Sequence, residues 1–194
     1  MQHDTATTPA EIRQFFAQQH KIVLTFIGYS GAGYQDPSAM LRIAADMLNE
    51  FDPANTIVNI GATQAGIGAI YALAKTRGFI TTGIVSTQAK KYQAELSHSI
   101  DHVFFVEDET WGGIDEASGR LSPTSTAMVE NSNFMIAIGG GSVGRDEILE
   151  AKRLKKELRY FPADMHHQRA IEKATEKGLP APTDFSGAVS EAFE

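Results

Sequence analysis

Residues 134–150 read FMIAIGGGSVGRDEILE, and this stretch decides the fold of the chain. Its first five residues are apolar and are bounded by polar residues, which is typical of a strand buried on both faces of a parallel sheet. Glycines at 139–141 and 144 follow, and helix-forming residues begin at Arg145. This order of strand, glycine turn and helix predicts an anion site, because glycine lets the backbone approach a ligand and the first helical N–H groups point at it.

A phosphate is the ligand that this turn fits best. We expect the backbone of residues 140–145 to bind it, with Ser142 as a side-chain donor. The ligand-binding candidates on this turn are Gly139, Gly140, Gly141, Ser142, Gly144 and Arg145.

Two acidic residues, Asp146 and Glu147, are expected in the first turn of the helix. A carboxylate so near a phosphate site suggests a polar or catalytic role for Glu147, such as contact with a sugar hydroxyl. Alternatively, both residues only complement the helix dipole. Spacing alone favours neither interpretation.

The same pattern occurs twice more along the chain. A strand at 22–27 leads into GYSGAG at 28–33, and a strand at 56–60 leads into GATQAGIG at 61–68. The first loop has the order G-x-x-G-x-G rather than the G-x-G-x-x-G of the usual dinucleotide fingerprint. The candidates on these two loops are Gly28, Ser30, Gly31, Gly61, Thr63 and Gly66.

Strands and helices alternate throughout, which predicts a single α/β domain with a doubly wound, mainly parallel sheet. In such a sheet all three glycine loops lie at the carboxyl edge, where ligands bind. We expect an N-terminal extension with a helix at 1–20, a nucleotide-binding domain at 21–178 and a C-terminal tail at 179–194. Further strands are predicted at 79–85, 103–106 and 158–161, and helices at 9–19, 36–50, 68–77, 123–130, 145–156 and 165–177.

Composition excludes several classes of function. The 194 residues contain no cysteine, no apolar run long enough to span a bilayer and no apolar signal-peptide core in the first twenty positions. We therefore expect a cytoplasmic protein without a membrane partner. The net charge of −7 disfavours a nucleic-acid partner, although a local pocket can still hold a phosphate.

Residues 107–121 are acidic, contain glycine and include Trp111, the only tryptophan of the chain. We interpret them as a surface loop, so their carboxylates do not indicate a metal site. Trp111 either stacks on a ligand base and covers the pocket, or packs against its own loop.

The order of these segments resembles the Rossmann-like superfamily that includes the LOG cytokinin-activating phosphoribohydrolases, once misnamed lysine decarboxylases. It also includes molybdenum cofactor carrier proteins, DprA-like domains and SLOG nucleotide-sensor domains. The resemblance covers residues 22–177. GYSG at 28–31 is similar to the family's Gly-Ser-Ser turn, IGATQAGIG at 60–68 to its Tyr-Gly-Gly-Gly-x-x-Gly-Leu-Met segment, and GGGSVGRDE at 139–147 to its Pro-Gly-Gly-x-Gly-Thr-x-x-Glu signature.

The resemblance places Glu147 on the Glu that acts at the ribose in the family's enzymes. Gly139 replaces the signature's Pro, Val143 its second Gly, and Gly144 the Thr that helps to hold the phosphate. The enzymes also carry a catalytic Arg in a Glu-Arg-Lys segment after the fourth strand. Residues 107–113 read EDETWGG there, without Arg or Lys, which leaves Arg145 and Arg120 as spatial substitutes.

Three functions follow, in order of preference. The first is binding of a nucleotide or pterin-nucleotide by a LOG/SLOG-like sensor or carrier that requires no cofactor. The second is hydrolysis of the N-glycosidic bond of a nucleoside 5'-monophosphate, with Glu147 as the catalytic carboxyl. The third is an interaction domain with a vestigial pocket. The resemblance also implies a homodimer.

Overall fold

Eight strands and seven α-helices form the part of the chain that the computed structural model describes, residues 6–194. The strands are β1 Ile22–Gly28, β2 Thr56–Ile60, β3 Ile80–Ser86, β4 His102–Val106, β5 Ile114–Asp115, β6 Arg120–Leu121, β7 Phe134–Ile138 and β8 Glu157–Phe161. The helices are α1 Pro9–Gln19, α2 Pro37–Leu48, α3 Ile70–Thr76, α4 Gln88–Lys91, α5 Pro123–Glu130, α6 Ser142–Arg153 and α7 His167–Glu176. Short 3-10 helices lie at Pro53–Asn55, Gly66–Ala69 and Ala188–Phe193.

The central sheet has six strands in the order β4-β3-β2-β1-β7-β8, and every pair in it is parallel. Strand β1 lies in the middle, with Thr25 level with Asn59 on one side and with Met135 on the other. The remaining strands, β5 and β6, form a small antiparallel hairpin within residues 107–121. The sheet confirms the predicted doubly wound α/β fold.

Helices cover both faces of the sheet, which explains why its strands are almost continuously apolar. Leu24 and Phe26 of β1 pack with α2 and α3 on one face. Val23 faces the other side and packs with α1 and α5, while Ile27 packs with α6. The alternation of side chains along β1 therefore divides the core into two layers.

Side chains cap the N-termini of three helices. Thr8 and Glu11 form a reciprocal capping box on α1, in which the Thr8 N–H donates to Glu11 Oε2 at 2.7 Å. Asp36 accepts a hydrogen bond from Ala39 N–H at 2.9 Å at the start of α2. Ser122 caps α5 in the same way. Each cap satisfies a donor that has no partner inside its helix.

The predicted start of α6 is wrong. The helix begins at Ser142 rather than at Arg145, so Asp146 and Glu147 lie in its second turn and not in its first. Gly144 lies inside the helix. A larger residue would not fit there, because an added Cβ would be 2.7 Å from Cγ2 of Ile27. Close packing onto the sheet, rather than a break in the helix, accounts for this glycine.

Residues 188–193, within the predicted tail, form a 3-10 helix that packs on α6. Val189 is completely buried there and contacts the sheet side of α6. Arg145 of α6 pairs with Glu191 at 3.1 Å, and the Lys152 ammonium donates to the carbonyl of Ala192. The end of the described chain thus contributes to the second core layer.

Gly66 provides a test of how the glycine loops pack. Its φ is +60°, and an added Cβ would overlap the carbonyl oxygens of Tyr29 and Ser30. We expect Gly66→Ala to lower the free energy of unfolding by roughly 2–4 kcal/mol, since it combines left-handed strain with displaced backbone. Urea unfolding measures this loss.

Gly31→Ala is the matched control. Gly31 has no positive φ, and no atom lies within 4 Å of an added Cβ. Its unfolding free energy should stay within about 0.5 kcal/mol of wild type. Equal losses in the two variants would contradict the packing argument.

Candidate functional site

A cleft of about 760 Å³ lies at the carboxyl edge of the sheet. Its centre is the switch point between β1 and β7, from which the chain leaves toward opposite sides of the sheet. All three glycine loops reach it. The predicted site residues that line it are Gly28, Ser30, Gly31, Gly61, Thr63, Gly141, Ser142, Gly144 and Glu147.

Four predicted ligand-binding residues, Gly66, Gly139, Gly140 and Arg145, are not among the residues that line the cleft. Gly139 and Gly140 have positive φ, and a Cβ on either would lie 2.6 Å from a neighbouring atom. Gly66 packs against the first loop as described above. These three glycines serve loop packing in this structure.

Arg145 points away from the cleft. Its guanidinium bonds Asp146 at 3.1 Å and Glu191 at 3.1 Å. Both contacts raise the pKa of Arg145, the larger effect coming from Glu191. Arg120, the other candidate substitute for the family's Arg, is exposed on β6 and does not line the cleft.

Hydrogen bonds join the first two loops. The Ile67 N–H, at the start of the second loop's 3-10 helix, donates to the Tyr29 carbonyl at 2.7 Å. Thr63 shapes the same loop, because its Oγ1 accepts from Ala65 N–H at 3.2 Å. Ser30 is exposed at the rim between them. The loop backbones are thus held, while Ser30 stays available to a ligand.

The third loop presents the N-terminus of α6 to the cleft. Gly141 is the N-cap, its φ is −92°, and no side chain caps the helix. No atom lies within 4 Å of a Cβ added at Gly141, so this backbone faces open space. Because the first N–H groups of a helix have no partner inside it, those of α6 are available to an anion.

Glu147 is the only predicted catalytic residue, and its side chain lies between α5 and α6. It is 6% exposed, and its Oε1 accepts from Ser125 Oγ at 2.7 Å. Ser125 Oγ in turn accepts from the Gly113 N–H at 2.7 Å. Burial raises the pKa of Glu147 to about 7, and the nearby Asp146 adds to this, although the bond from Ser125 opposes it.

Two aspartates anchor residues 107–121 to the helices beside the cleft. Asp146 Oδ2 accepts from Ile114 N–H at 2.9 Å. Asp108 is buried, and its carboxylate accepts from the N–H groups of Thr110 and Thr124. Burial raises the pKa of Asp108, but these hydrogen bonds and the side-chain hydroxyls of Thr110 and Thr124 outweigh that effect and leave a lowered pKa. The segment is therefore a folded part of the cleft wall.

Trp111 stands on this segment and lines the cleft. It is 51% exposed, and its ring centre is 6.0 Å from that of Tyr92, which is also exposed. The indole thus has a free surface at the mouth of the cleft. This placement fits a covering role better than packing against the loop's own body.

Helix α5 also lines the cleft, which the sequence did not predict. Thr124 and Met128 face the cleft from this helix, and Lys173 faces it from α7. Periodicity predicts α5 but not the direction of its polar residues, since that depends on the packing of α5 against α6. The only signal in the sequence was that α5 directly follows residues 107–121, which are anchored by Asp108.

The charge of the cleft is limited. Within the described residues, its lining includes the carboxyl groups of Glu95 and Glu147, one lysine, Lys173, and no arginine. Residues 6–194 contain no cluster of three or more histidine or acidic side chains placed to hold a metal ion.

Over the same range, no helix has the length and apolar character needed to cross a membrane.

No protein-family model matches the chain, and no curated protein does. Solved structures do match it. A structure of the molybdenum cofactor carrier protein from Chlamydomonas reinhardtii has 17% identity and a TM-score of 0.53, over 72% of this chain and 76% of that one. A second structure of that carrier has 15% identity and a TM-score of 0.52, over 89% of this chain and 96% of that one.

The X-ray structure of the structural genomics target TM1055 is similar at 18% identity, with a TM-score of 0.51, over 71% of this chain and 72% of that one. At these identities the likeness concerns the fold. It confirms, at that level, the Rossmann-like resemblance drawn from the glycine loops.

The pKa of Glu147 predicts a pH-dependent stability. The folded state holds this proton more tightly than the unfolded state, so the group destabilises the protein as the pH rises from about 4.5 to about 7. We expect Glu147→Gln to equal wild type in unfolding free energy near pH 4.5 and to exceed it above pH 7 by up to about 3 kcal/mol. Urea unfolding across pH 4–8 measures the difference.

Glu150→Gln on the same helix is the control. Its hydrogen bond from Arg153 lowers the pKa of Glu150, so the carboxylate stabilises the folded state and that stability is lost as the pH falls. The difference between variant and wild type should therefore have the opposite sign. A pH-independent difference for Glu147→Gln would contradict the assignment.

Proposed function

We propose that this protein binds a nucleotide or pterin-nucleotide, with its phosphate at the N-terminus of α6, and acts as a sensor or carrier. The observation that carries the proposal is the convergence of three glycine loops on one cleft at the switch point of the sheet, beside a helix end that no side chain caps. Anions bind at such helix ends because free N–H groups and the helix dipole both favour them.

The phosphate site uses Gly141, Ser142 and the N–H groups that follow. The open space at Gly141 lets an anion approach the backbone, and Ser142 adds a hydroxyl donor. Lys173 supplies the positive charge among the residues that line the cleft. A single lysine suits one phosphate group better than a polyanion.

The rest of the cleft suits a planar, mostly apolar group. The apolar residues that line it include Ile84, Val85, Ala89 and Met128, and the half-exposed Trp111 also lines it. Indole rings stack well on heteroaromatic rings. A nucleobase or a pterin fits this wall, and the similar fold of a protein described as a molybdenum cofactor carrier supports the pterin alternative.

Binding is preferred to hydrolysis because the cleft offers no arginine. An electrophilic arginine would stabilise charge that develops on the ribose phosphate or on the leaving base. Arg145 is held by two carboxylates away from the cleft. A homodimer and a cytoplasmic location, both implied by the resemblance or the composition, stay predictions.

Binding is measured through Trp111, since the chain has one tryptophan and it lines the cleft. Titration with AMP and with GMP should change its fluorescence in a saturable way. Gly141→Val should weaken binding about a hundredfold or more, because the side chain would displace the phosphate from hydrogen bonds worth about 1.5–3 kcal/mol each.

Ala117→Val is the control, because Ala117 is exposed and does not line the cleft. It should bind as wild type does. Gly141→Val should stay folded, since an added Cβ meets no neighbour, although valine is a poorer N-cap than glycine and should lower the unfolding temperature slightly. Wild-type affinity in a folded Gly141→Val protein would place the ligand elsewhere.

Hydrolysis is the second candidate, and one observation favours it. Glu147 lines the cleft and its pKa is raised to about 7, which suits a general acid or base at neutral pH. In this reaction water would add to the anomeric carbon, and the base would leave with a proton. An interaction domain with a vestigial pocket is the third candidate, and it requires that no ligand binds in the cleft.

Chromatography after incubation with AMP separates these alternatives. The binding proposal predicts that AMP is recovered intact after saturable binding. Release of adenine and ribose 5-phosphate that is lost in Glu147→Gln would establish the hydrolase instead. Neither binding nor turnover, with AMP, GMP or a co-purifying ligand sought by native mass spectrometry, would favour the vestigial pocket.

A further inference from the structure

Thr124 carries a buried hydroxyl without a partner. Among residues 6–194, its Oγ1 is the buried side-chain nitrogen or oxygen atom that lacks a hydrogen bond. The residue is 5% exposed and lines the cleft. Because buried polar atoms almost always have a partner, a hydroxyl left unpaired beside a cleft points to a group that binds there.

The surroundings hold Thr124 in place, and its hydroxyl makes no hydrogen bond of ordinary geometry, although it lies near enough to the Asp108 carboxylate to help lower the pKa of that group. It is the second residue of α5, and its N–H donates to the buried carboxylate of Asp108 at 3.0 Å. The next residue, Ser125, uses its hydroxyl fully, since it accepts from Gly113 N–H and donates to Glu147. The Thr124 hydroxyl is therefore the polar group at this end of α5 that is left to bond a ligand, in competition with the nearby Asp108 carboxylate.

Glu147 stands on the facing helix and lines the same cleft. Only its Oε1 has a partner among the described residues, and that partner is Ser125. Thr124 and Glu147 are thus two polar residues of one cleft, and Ser125, which follows Thr124 in α5, bonds Glu147 directly. We refer to the Thr124 and Glu147 side chains as the polar subsite.

We propose that Thr124 is a specificity-determining residue whose hydroxyl binds an uncharged polar group of the ligand, with Glu147 beside it. This assignment rests on the proposed function, because it concerns another part of the same ligand. A hydroxyl both donates and accepts, so its complement carries a donor or an acceptor. The neighbouring carboxyl group disfavours a second phosphate there.

The position of Glu147 along α6 indicates which part of the ligand reaches the polar subsite. Glu147 follows Ser142 by five residues, which is about 7.5 Å along the helix axis. A phosphate held at Ser142 therefore leaves the subsite to atoms beyond it. A sugar hydroxyl and the amide edge of a base have the shared chemistry required, and the test separates them.

Thr124→Val keeps the shape of the side chain and removes the hydroxyl. We expect it to weaken AMP and GMP binding about tenfold, measured by Trp111 fluorescence and calorimetry. Binding of inorganic phosphate should not change. Equal weakening for ribose 5-phosphate would assign the contact to the sugar, whereas weakening for the nucleotides alone would assign it to the base.

Stability separates this role from a structural one. Removal of a hydroxyl that has no partner should leave the unfolding temperature of the ligand-free protein unchanged or higher, whereas removal of a hydroxyl that bonds within the protein would lower it. Thr126→Val is the matched control on the same helix. Its hydroxyl donates to the Leu121 carbonyl at 3.4 Å, away from the cleft, so ligand affinity should not change.

The possible results test the Thr124 inference and the proposed function separately. Wild-type affinity for AMP and GMP in Thr124→Val would overturn this inference alone, as would a lowered unfolding temperature without weaker binding. Failure of wild type to bind AMP and GMP, together with the absence of a co-purifying nucleotide or pterin in native mass spectrometry, would overturn the proposed function and, with it, the assignment of Thr124.

Discussion

The hydroxyl of Tyr34 joins the backbones on the two sides of the switch point. It donates to the carbonyl of Ile138 at 2.6 Å and accepts from the Tyr29 N–H at 3.2 Å. Gly28 lies directly against this hydroxyl, so a Cβ there would overlap it. The ends of β1 and β7 are thereby held together at the point where the cleft begins. Burial raises the pKa of Tyr34 far above neutrality, so the phenol keeps its proton and both bonds.

The other loops depend on this junction. The single O–H of Tyr29 is shared between the carbonyls of Ala163 and Ser186, at 2.8 and 2.9 Å, and the backbone carbonyl of Tyr29 accepts from the second loop. Gly139 and Gly140 allow the third loop to pass beside Tyr29 and Val189. With these contacts made, Gly141 and Ser142 are left as the exposed start of α6. Several glycines of the loops therefore stabilise the cleft so that a few backbone groups can meet a ligand.

A second set of hydrogen bonds sets the chemistry of the cleft. Gly113, Ser125 and Glu147 form a chain from residues 107–121 through α5 to α6. This chain of hydrogen bonds, together with Asp146, ties the segment that carries Trp111 to α6, at whose N-terminus we propose the phosphate site. The position of the indole and the charge state of Glu147 are consequently properties of one packed unit.

The sequence by itself determined the order of the elements, the parallel sheet and the edge at which its glycine loops meet. Apolar runs, helix caps and glycine turns are local signals, which is why residues 56–60 and 123–130 were predicted with the bounds that the structure shows. The sequence does not indicate whether a given glycine of a loop packs against a neighbouring residue or faces the open cleft. Only tertiary structure separated Gly139 from Gly141, placed Gly144 inside α6, turned Arg145 toward Glu191 and placed Thr124 in the wall of the cleft that Glu147 also lines. Those outcomes depend on distances between residues far apart in the chain, and it is the packing of α5, α6 and residues 188–193 on the sheet that determines them.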